Sequence, residues 1–243
     1  MRVFARSDIG KTRDINQDAY YISDEKEKIK LFILADGMGG YNGGEIASKL
    51  AITSVKNYIH SNFDATSKDK VNMQELIRSA IEYANMIVYE ESKKDVNLEG
   101  MGTTLEVGLI YNNRVYIGHI GDSRIYRIRK EFIRQLTIDH SYVEKLVKDG
   151  TITREESYAH PKKNMLTRAL GCTAFVEPDV TIKGFLKDDI LLLTSDGLTN
   201  MVKNGEIYDI IRDDIGKATD RLIQTANDRG GYDNITIIIA QND

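Results

Sequence analysis

The chain opens with short runs of apolar and β-branched residues that polar turns separate. Three of these runs predict strands, at residues 3–7, 19–22 and 29–35. The period then changes, because apolar residues recur every three or four positions after Glu45. This stripe predicts one helix. A second helix is predicted to begin at Asn72, with Glu75 completing a capping box.

The middle and the C-terminal part of the chain alternate hairpins with helix pairs. Helices are predicted near residues 205–212 and 217–228, and strands at 103–111, 115–119, 123–129, 132–135, 180–185, 190–194 and 235–240. Residues 141–164 break the β pattern with two short helices that Ser141 and Thr153 would cap. The alternation favours an antiparallel α+β fold over a doubly wound βαβ sheet. We expect the helical insert to be the most mobile element.

Composition narrows the class of protein. The 243 residues are 41% hydrophobic and 29% charged, which is typical of a folded globular chain, and we expect one domain over residues 1–243. The net charge of −4 disfavours a dedicated nucleic-acid binder. The longest apolar runs are too short to cross a bilayer, and Cys172 alone cannot form a disulfide framework. We therefore expect a cytoplasmic protein without a membrane partner.

Four aspartates lie at the ends of predicted core strands: Asp36, Asp122, Asp196 and Asp233. An Asp-Gly pair is usually only a turn, as at Asp149, which ends a predicted helix. If the four acids converge, however, each pair about 4 Å apart repels by roughly 4 kcal/mol. Such a cluster must bind cations or raise its own pKa values. Oxygen ligands suit Mg²⁺ or Mn²⁺, so we predict a metal site if these side chains meet.

Three familiar site motifs are absent from the sequence. Gly39 and Gly44 have P-loop spacing, but Glu45 stands where a P-loop requires Lys. Cys172 is not followed six residues later by the Arg of a cysteine-phosphatase loop, since Pro178 occupies that position. The four histidines show no metal-ligand spacing. These observations disfavour nucleotide-cradling, cysteine-nucleophile and zinc chemistry.

Seven segments, taken in order, resemble the metal-dependent protein serine/threonine phosphatases of the 2C type, most of all their minimal bacterial, cytoplasmic members. They span nearly the whole chain: RDINQD (13–18), LADGMGG (34–40), GMGTT (100–104), GDSR (121–124), TIDHS (137–141), SDGLT (195–199) and GGYDNIT (230–236). The resemblance implies a four-layer α/β/β/α sandwich of two antiparallel sheets flanked by helix pairs. It also implies that residues 141–164 form a flap beside the active-site cleft.

The resemblance assigns Mn²⁺ or Mg²⁺ ligands to five positions of this sequence. Asp36 would bridge two cations, and the carbonyl of Gly37 would bind one of them. Asp196 and Asp233 would bind the other. Asp122 matches, together with Asp196, a third cation site of bacterial members.

Two further positions follow from the same resemblance, and two depart from it. Arg13 matches the arginine that binds the substrate phosphate, and Asp18 matches an acid that holds waters on the metals. Met38 replaces the histidine proposed as general acid in better-known eukaryotic relatives, so that role is unassigned here. Gln17 stands where many relatives have Glu, which predicts a different metal affinity.

The implied activity is hydrolysis of phosphoserine and phosphothreonine in proteins by a metal-bridging hydroxide, without a covalent intermediate. Arg13, Asp36, Asp196 and Asp233 would be the catalytic residues. We expect a monomer that acts on phosphorylated proteins and opposes a Hanks-type serine/threonine kinase. Two alternatives remain at this stage: a phosphoprotein-binding module that lacks catalysis, and a Mg²⁺-dependent nuclease or nucleotide hydrolase.

Overall fold

Two antiparallel sheets lie face to face and form the centre of the molecule in the computed structural model, which describes residues 1–40 and 43–243. Within those ranges, the first sheet contains, in spatial order, β1 (Arg2–Asp8), β11 (Ile235–Gln241), β10 (Ile190–Thr194), β7 (Arg124–Arg129) and β8 (Phe132–Gln135). The second contains β2 (Asp18–Ile22), β3 (Lys30–Met38), β5 (Leu105–Tyr111), β6 (Arg114–Ile120) and β9 (Asp179–Gly184), with the short β4 (Gly102–Thr103) paired to the end of β3.

Helices cover the outer face of each sheet. The second sheet carries α1 (Gly43–Asn62) and α2 (Lys70–Ser92), and the first carries α5 (Asp196–Thr199), α6 (Asn204–Asp213) and α7 (Ala218–Asp228). The predicted α+β fold with four layers, α/β/β/α, is therefore confirmed. No helix in the two described ranges is long and apolar enough to span a bilayer.

The central strands are buried on both faces, which explains why their sequences are continuous apolar runs. Along β3, Leu31 and Ile33 pack beneath α1 and α2, whereas Phe32 and Leu34 face the other sheet. Each such side chain contributes roughly 1.5–3 kcal/mol of hydrophobic free energy on burial. These strands are thus rigid supports for residues at their ends.

The start of α2 differs from the sequence-based prediction. The helix begins at Lys70, and the Asp69 carboxylate accepts hydrogen bonds from the backbone N–H groups of Val71 and Asn72, each at 2.9 Å. Asn72 therefore lies in the first turn, and its predicted role as the cap is wrong. A carboxylate at the helix N terminus also interacts favourably with the helix dipole, which a neutral amide does not match.

Two short helices form the insert: α3 (Tyr142–Lys148) and α4 (Arg154–Ala159). Ser141 caps the first by accepting a hydrogen bond from the backbone N–H of Glu144. Thr153 and Glu156 form the predicted capping box of the second. An ion pair between Arg154 and Glu144 joins the two helices.

We expect amide hydrogens in residues 141–164 to exchange at least about tenfold faster than those of β3 and β10. The physical reason is shallow packing, since Val143 is the buried side chain of α3 and Ser157 that of α4. Hydrogen–deuterium exchange read by mass spectrometry measures this directly. Protection in the insert equal to that of the two strands would contradict the prediction of a mobile flap.

Candidate metal centre

The four aspartates at strand ends lie at one end of the sandwich. Asp36 is near the end of β3, Asp122 lies between β6 and β7, Asp196 begins α5 directly after β10, and Asp233 precedes β11. All four line a cleft of about 580 Å³, together with Arg13 and Gly37. The structure thus brings together side chains separated by as many as 197 positions in the chain, counted from 36 to 233.

The strand that carries Asp36 runs further than the sequence predicts. It continues to Met38, because β4 pairs with it at Gly37 and Met38. The backbone N–H of Asp36 donates to Thr104 Oγ1 at 3.0 Å, and Thr103 Oγ1 donates to the Asp36 carbonyl at 2.9 Å. These bonds fix the backbone of Asp36 on both sides.

The glycine-rich segment after Asp36 allows two backbones to approach closely. A Cβ atom on Gly37 would lie 2.1 Å from the carbonyl oxygen of Gly44, at the start of α1. No side chain fits in that space, so the position requires glycine. Gly37 is also part of the cleft lining.

Arg13 lies at the edge of the cleft, with about half of its side chain exposed. Its Nη2 atom donates to Asp233 Oδ2 at 2.9 Å. Arg13 is therefore in reach of both solvent and the acidic cluster, which is where a phosphate-binding guanidinium would be useful.

Asn234 anchors the segment that presents Arg13, a role that no local pattern in the sequence predicts. Its side-chain amide donates to the carbonyls of Ile9 and Ile15, at 2.9 and 3.1 Å, and accepts from the backbone N–H of Gln17 at 2.8 Å. The buried side chain of Asn234 thus ties the N-terminal loop to the segment that carries Asp233.

Asp18 is buried beside the cluster, opposite Asp36 in the register of β2 and β3. Ser195 Oγ donates to its Oδ2 atom at 2.8 Å, whereas Oδ1 is buried without a hydrogen-bond partner. Burial, together with the charges of Asp196 and Asp233, raises the pKa of Asp18 to about 7. Such an arrangement suits an acid that accepts hydrogen bonds from waters inside the site.

The acids of the cleft destabilise one another's ionised forms. Burial and then the charge of Asp18 raise the pKa of Asp36 well above its usual value, and burial and Asp196 do the same for Asp122. Burial and Asp233 raise the pKa of Asp196 to about 6, although a hydrogen bond from Asn200 opposes the shift. One Asp196 oxygen, Oδ1, is buried without a partner.

Several observations fit a divalent cation at this site. The donors are carboxylate and carbonyl oxygens, the acids have raised pKa values, and a buried oxygen lacks a partner. In the described part of the chain, however, no three His, Cys, Asp or Glu side chains already form a closed metal cluster. Hard oxygen donors of this kind favour Mg²⁺ or Mn²⁺.

We expect chelator-treated protein to lose thermal stability as the pH rises from about 5 to 8. Burial raises the pKa values of Asp18, Asp196 and Glu106 to about 7, 6 and 7. The folded state therefore favours the protonated form of each acid. Their stabilising effect is complete below the ordinary values of 3.8 to 4.5 and is lost as the pH passes through 6 to 7. Burial lowers the pKa of His140 to about 4, so this single group opposes the trend that the three acids produce.

Circular dichroism melting curves at several pH values measure the effect. Added Mn²⁺ should raise Tm most at the alkaline end, because a cation binds the ionised carboxylates. A Tm that climbs steadily from pH 5 to 8 in the chelated protein would contradict the burial of these acids.

Two other residues of the cleft wall bear on the chemistry. Met38 lines the cleft and its thioether cannot donate a proton. Cys172 also lines the cleft, but burial raises the pKa of its thiol, so it is a poor nucleophile at neutral pH. Met38 therefore cannot act as a general acid, and Cys172 is poorly suited to form a covalent intermediate.

Comparison with known proteins agrees with this geometry. The family model described as Protein phosphatase 2C matches residues 10–236. Protein phosphatase PhpP of Streptococcus pneumoniae serotype 2 is 40% identical over 242 residues, which cover 98% of this chain and 96% of that protein.

Solved structures extend the similarity to the fold. The serine/threonine phosphatase of S. agalactiae superimposes with a TM-score of 0.91 at 36% identity, covering 100% of this chain and 99% of that one. The catalytic domain of the phosphatase PstP, in complex with two manganese ions, gives a TM-score of 0.86 at 35% identity, with 99% and 97% covered. The chain therefore belongs to the protein phosphatase 2C family of metal-dependent protein serine/threonine phosphatases.

Proposed function

We propose that this cleft hydrolyses phosphoserine and phosphothreonine esters of proteins directly with water, without a phosphoenzyme. The observation that carries the proposal is the convergence of Asp36, Asp122, Asp196 and Asp233 on one cleft that Arg13 borders. A cluster of acids can recruit cations, and the arginine beside it can bind a phosphate dianion. Together these groups are suited to a phosphoryl transfer in which charge must be neutralised.

Two cations would share the centre of the site. Asp36 lines the cleft together with Asp122, Asp196 and Asp233, and we assign to it the position that the two ions would share. We assign the Gly37 carbonyl to one ion and Asp196 with Asp233 to the other. Bound divalent cations would lower the pKa of a coordinated water toward about 7, and so supply the nucleophile at neutral pH. Asp122 with Asp196 would hold a third ion.

The other side chains bind the phosphate and order the site. The planar Arg13 guanidinium can donate two parallel hydrogen bonds to phosphate oxygens, and it would neutralise charge on the equatorial oxygens of the phosphoryl group. Asp18, fixed by Ser195, would accept hydrogen bonds from waters in the cluster. Since Met38 cannot protonate the leaving serine or threonine oxygen, we assign that proton to water in the open cleft.

A direct attack by water also agrees with the state of the hydroxyl and thiol groups. Thr104 Oγ1 already bonds the Asp36 backbone and Ser123 Oγ, at 3.0 and 2.9 Å, and is not poised to attack. The Cys172 thiol has a raised pKa. We therefore place no covalent step on a side chain.

The test is a side-by-side assay of phosphothreonine peptide, phosphotyrosine peptide, a nucleoside triphosphate and DNA, with Mn²⁺ and with chelator. We expect phosphothreonine to be hydrolysed fastest, and only with the metal. Metal binding without hydrolysis of any phosphopeptide would favour the binding-module alternative. Preferential hydrolysis of nucleotide or DNA would favour the nuclease alternative.

We further propose that the protein acts as a monomer in the cytoplasm on substrates of a serine/threonine kinase. The support is general: a net charge of −4 disfavours nucleic acid, and the cleft is open on one chain. Sedimentation of the purified protein tests the monomer.

A further inference from the structure

His140 makes an unusual contact with the turn that carries Asp122. The backbone N–H of His140 donates to the carbonyl of Gly121 at 2.7 Å, and the backbone N–H of Gly121 donates to His140 Nδ1 at 3.2 Å. Both backbone polar groups of Gly121 are therefore bonded by one residue, once through its main chain and once through its ring.

The conformation and surroundings of Gly121 disfavour any other residue at this position. Gly121 has a φ of +111°, a region that favours glycine, and a Cβ there would lie 2.5 Å from the side chain of Thr104. The next residue, Asp122, lines the cleft. Orientation of the Asp122 carboxylate thus depends on a peptide unit that His140 holds.

Two side chains flank the imidazole of His140, whose buried Nε2 atom has no hydrogen-bond partner among the described residues. Its ring lies 4.4 Å, centroid to centroid, from that of His119, and its Nε2 atom lies 3.3 Å from Asp179 Oδ2. His119 is in turn fixed by Glu106, with 2.5 Å between Nδ1 and Oε1, and by the carbonyl of Ile138 at 2.8 Å. The His119 and His140 rings are both buried, so His140 has little freedom to move away from Gly121.

The same residue directly precedes the insert. Ser141, the cap of α3, follows it directly, and the backbone N–H of Thr167 donates to the His140 carbonyl at 2.8 Å after the chain returns from the insert. His140 therefore contacts the turn that presents Asp122 and residues that flank the insert on both sides.

We propose that His140 is a positioning residue for cation binding at Asp122: its neutral ring, acting as a hydrogen-bond acceptor at Nδ1, holds the Gly121 peptide so that the Asp122 carboxylate points into the cleft. The proposal rests on the assignment of Asp122 as a cation ligand in the proposed function. A donor at Gly121 requires Nδ1 to be unprotonated, which places the ring proton on Nε2, facing Asp179. Replacement of the acceptor leaves a buried N–H without a partner, and this cost falls on the turn.

Calorimetric titration of the full, chelator-stripped chain with Mn²⁺ tests this without substrate. Asp122→Asn first identifies the binding step that depends on Asp122. We expect His140→Leu to weaken that step by about tenfold or more and to leave the other steps within about twofold. His140→Asn should restore it, because the Asn Oδ1 atom occupies the place of Nδ1 on Cγ. Asp179→Asn, which keeps the Gly121 contact, is the matched control and should bind like wild type.

Unchanged Mn²⁺ binding by a folded His140→Leu, or a His140→Asn as weak as His140→Leu, would overturn the proposal. So would the absence of any Asp122-dependent step in the wild-type protein.

If His140→Leu does not fold, the wild-type protein provides the answer through nitrogen-15 NMR of the His140 ring. The Nδ1 resonance should report an unprotonated acceptor and should shift as Mg²⁺ fills the Asp122 site, but not in Asp122→Asn. A protonated or unresponsive Nδ1 would overturn it. Normal metal binding without phosphatase activity would instead contradict the proposed function and leave the His140 assignment intact.

Discussion

Replacing Asp36 with Asn is expected to reduce hydrolysis of p-nitrophenyl phosphate and of a phosphothreonine peptide by about a thousandfold or more in saturating Mn²⁺. The neutral amide removes the carboxylate whose ionisation the charges of Asp18, Asp196, Asp122 and Asp233 all oppose. Steady-state kinetics of the purified variant measure the loss, which should fall on kcat. We expect Asp196→Asn to behave in the same way.

The same substitution should make the metal-free protein more stable. Asp36 has a pKa raised well above its usual value by burial and by its acidic neighbours, so its charge costs stability at neutral pH. We expect a Tm about 2–6 °C higher than that of chelated wild type at pH 7.5. Asp149→Asn is the matched control, since Asp149 is an exposed Asp-Gly acid at the end of α3 and should alter neither quantity. Wild-type rates in Asp36→Asn, or a loss of rate that accompanies unfolding, would contradict the assignment.

Replacing Arg13 with Ala is expected to raise KM for phosphopeptides about tenfold or more, with a smaller change in kcat. Arg13 is half-exposed at the edge of the cleft and bonds Asp233 at 2.9 Å, which places its guanidinium where a phosphate oxygen would enter. Arg13→Lys should recover part of the loss, because an ammonium retains the charge but not the planar fork.

A control for Arg13 is available in the same loop. Lys11 is similarly exposed, but it faces Asp228 at 3.7 Å rather than the cleft. Lys11→Ala should leave KM within about twofold of wild type, since exposed ion pairs contribute little. An unchanged KM in Arg13→Ala would show that Arg13 does not bind the phosphate. An equal rise in both variants would show that general positive charge, rather than Arg13 itself, is responsible.

Much of the fold could be predicted because burial imposes periodicity. Runs such as 29–35 and 190–194 are buried on both faces, so they read as strands without context, and the caps at Ser141 and Thr153 use the expected chemistry. The predicted start of α2 was wrong because Asp69 and Asn72, three positions apart, both have side chains that can cap a helix. Local sequence alone does not decide between two such candidates.

The site was predictable only in its chain positions. Acids at strand ends mark where side chains can be held rigidly, yet their convergence depends on how two sheets stack, which spacing does not contain. Contacts across the chain were missed for the same reason. Thr104 links the backbone of Asp36 to Ser123, and Asn234 binds the N-terminal loop through residues more than 200 positions away. No periodicity or local motif reports a hydrogen bond of that range.

The most direct test is the position of Mn²⁺ in crystals of this protein, located by anomalous scattering at the manganese absorption edge. We expect two strong peaks that share Asp36, one near the Gly37 carbonyl and the other near Asp196 and Asp233, and a weaker third peak near Asp122. Peaks confined to other parts of the surface, or none in the cleft at millimolar Mn²⁺, would contradict a metal centre built from these acids.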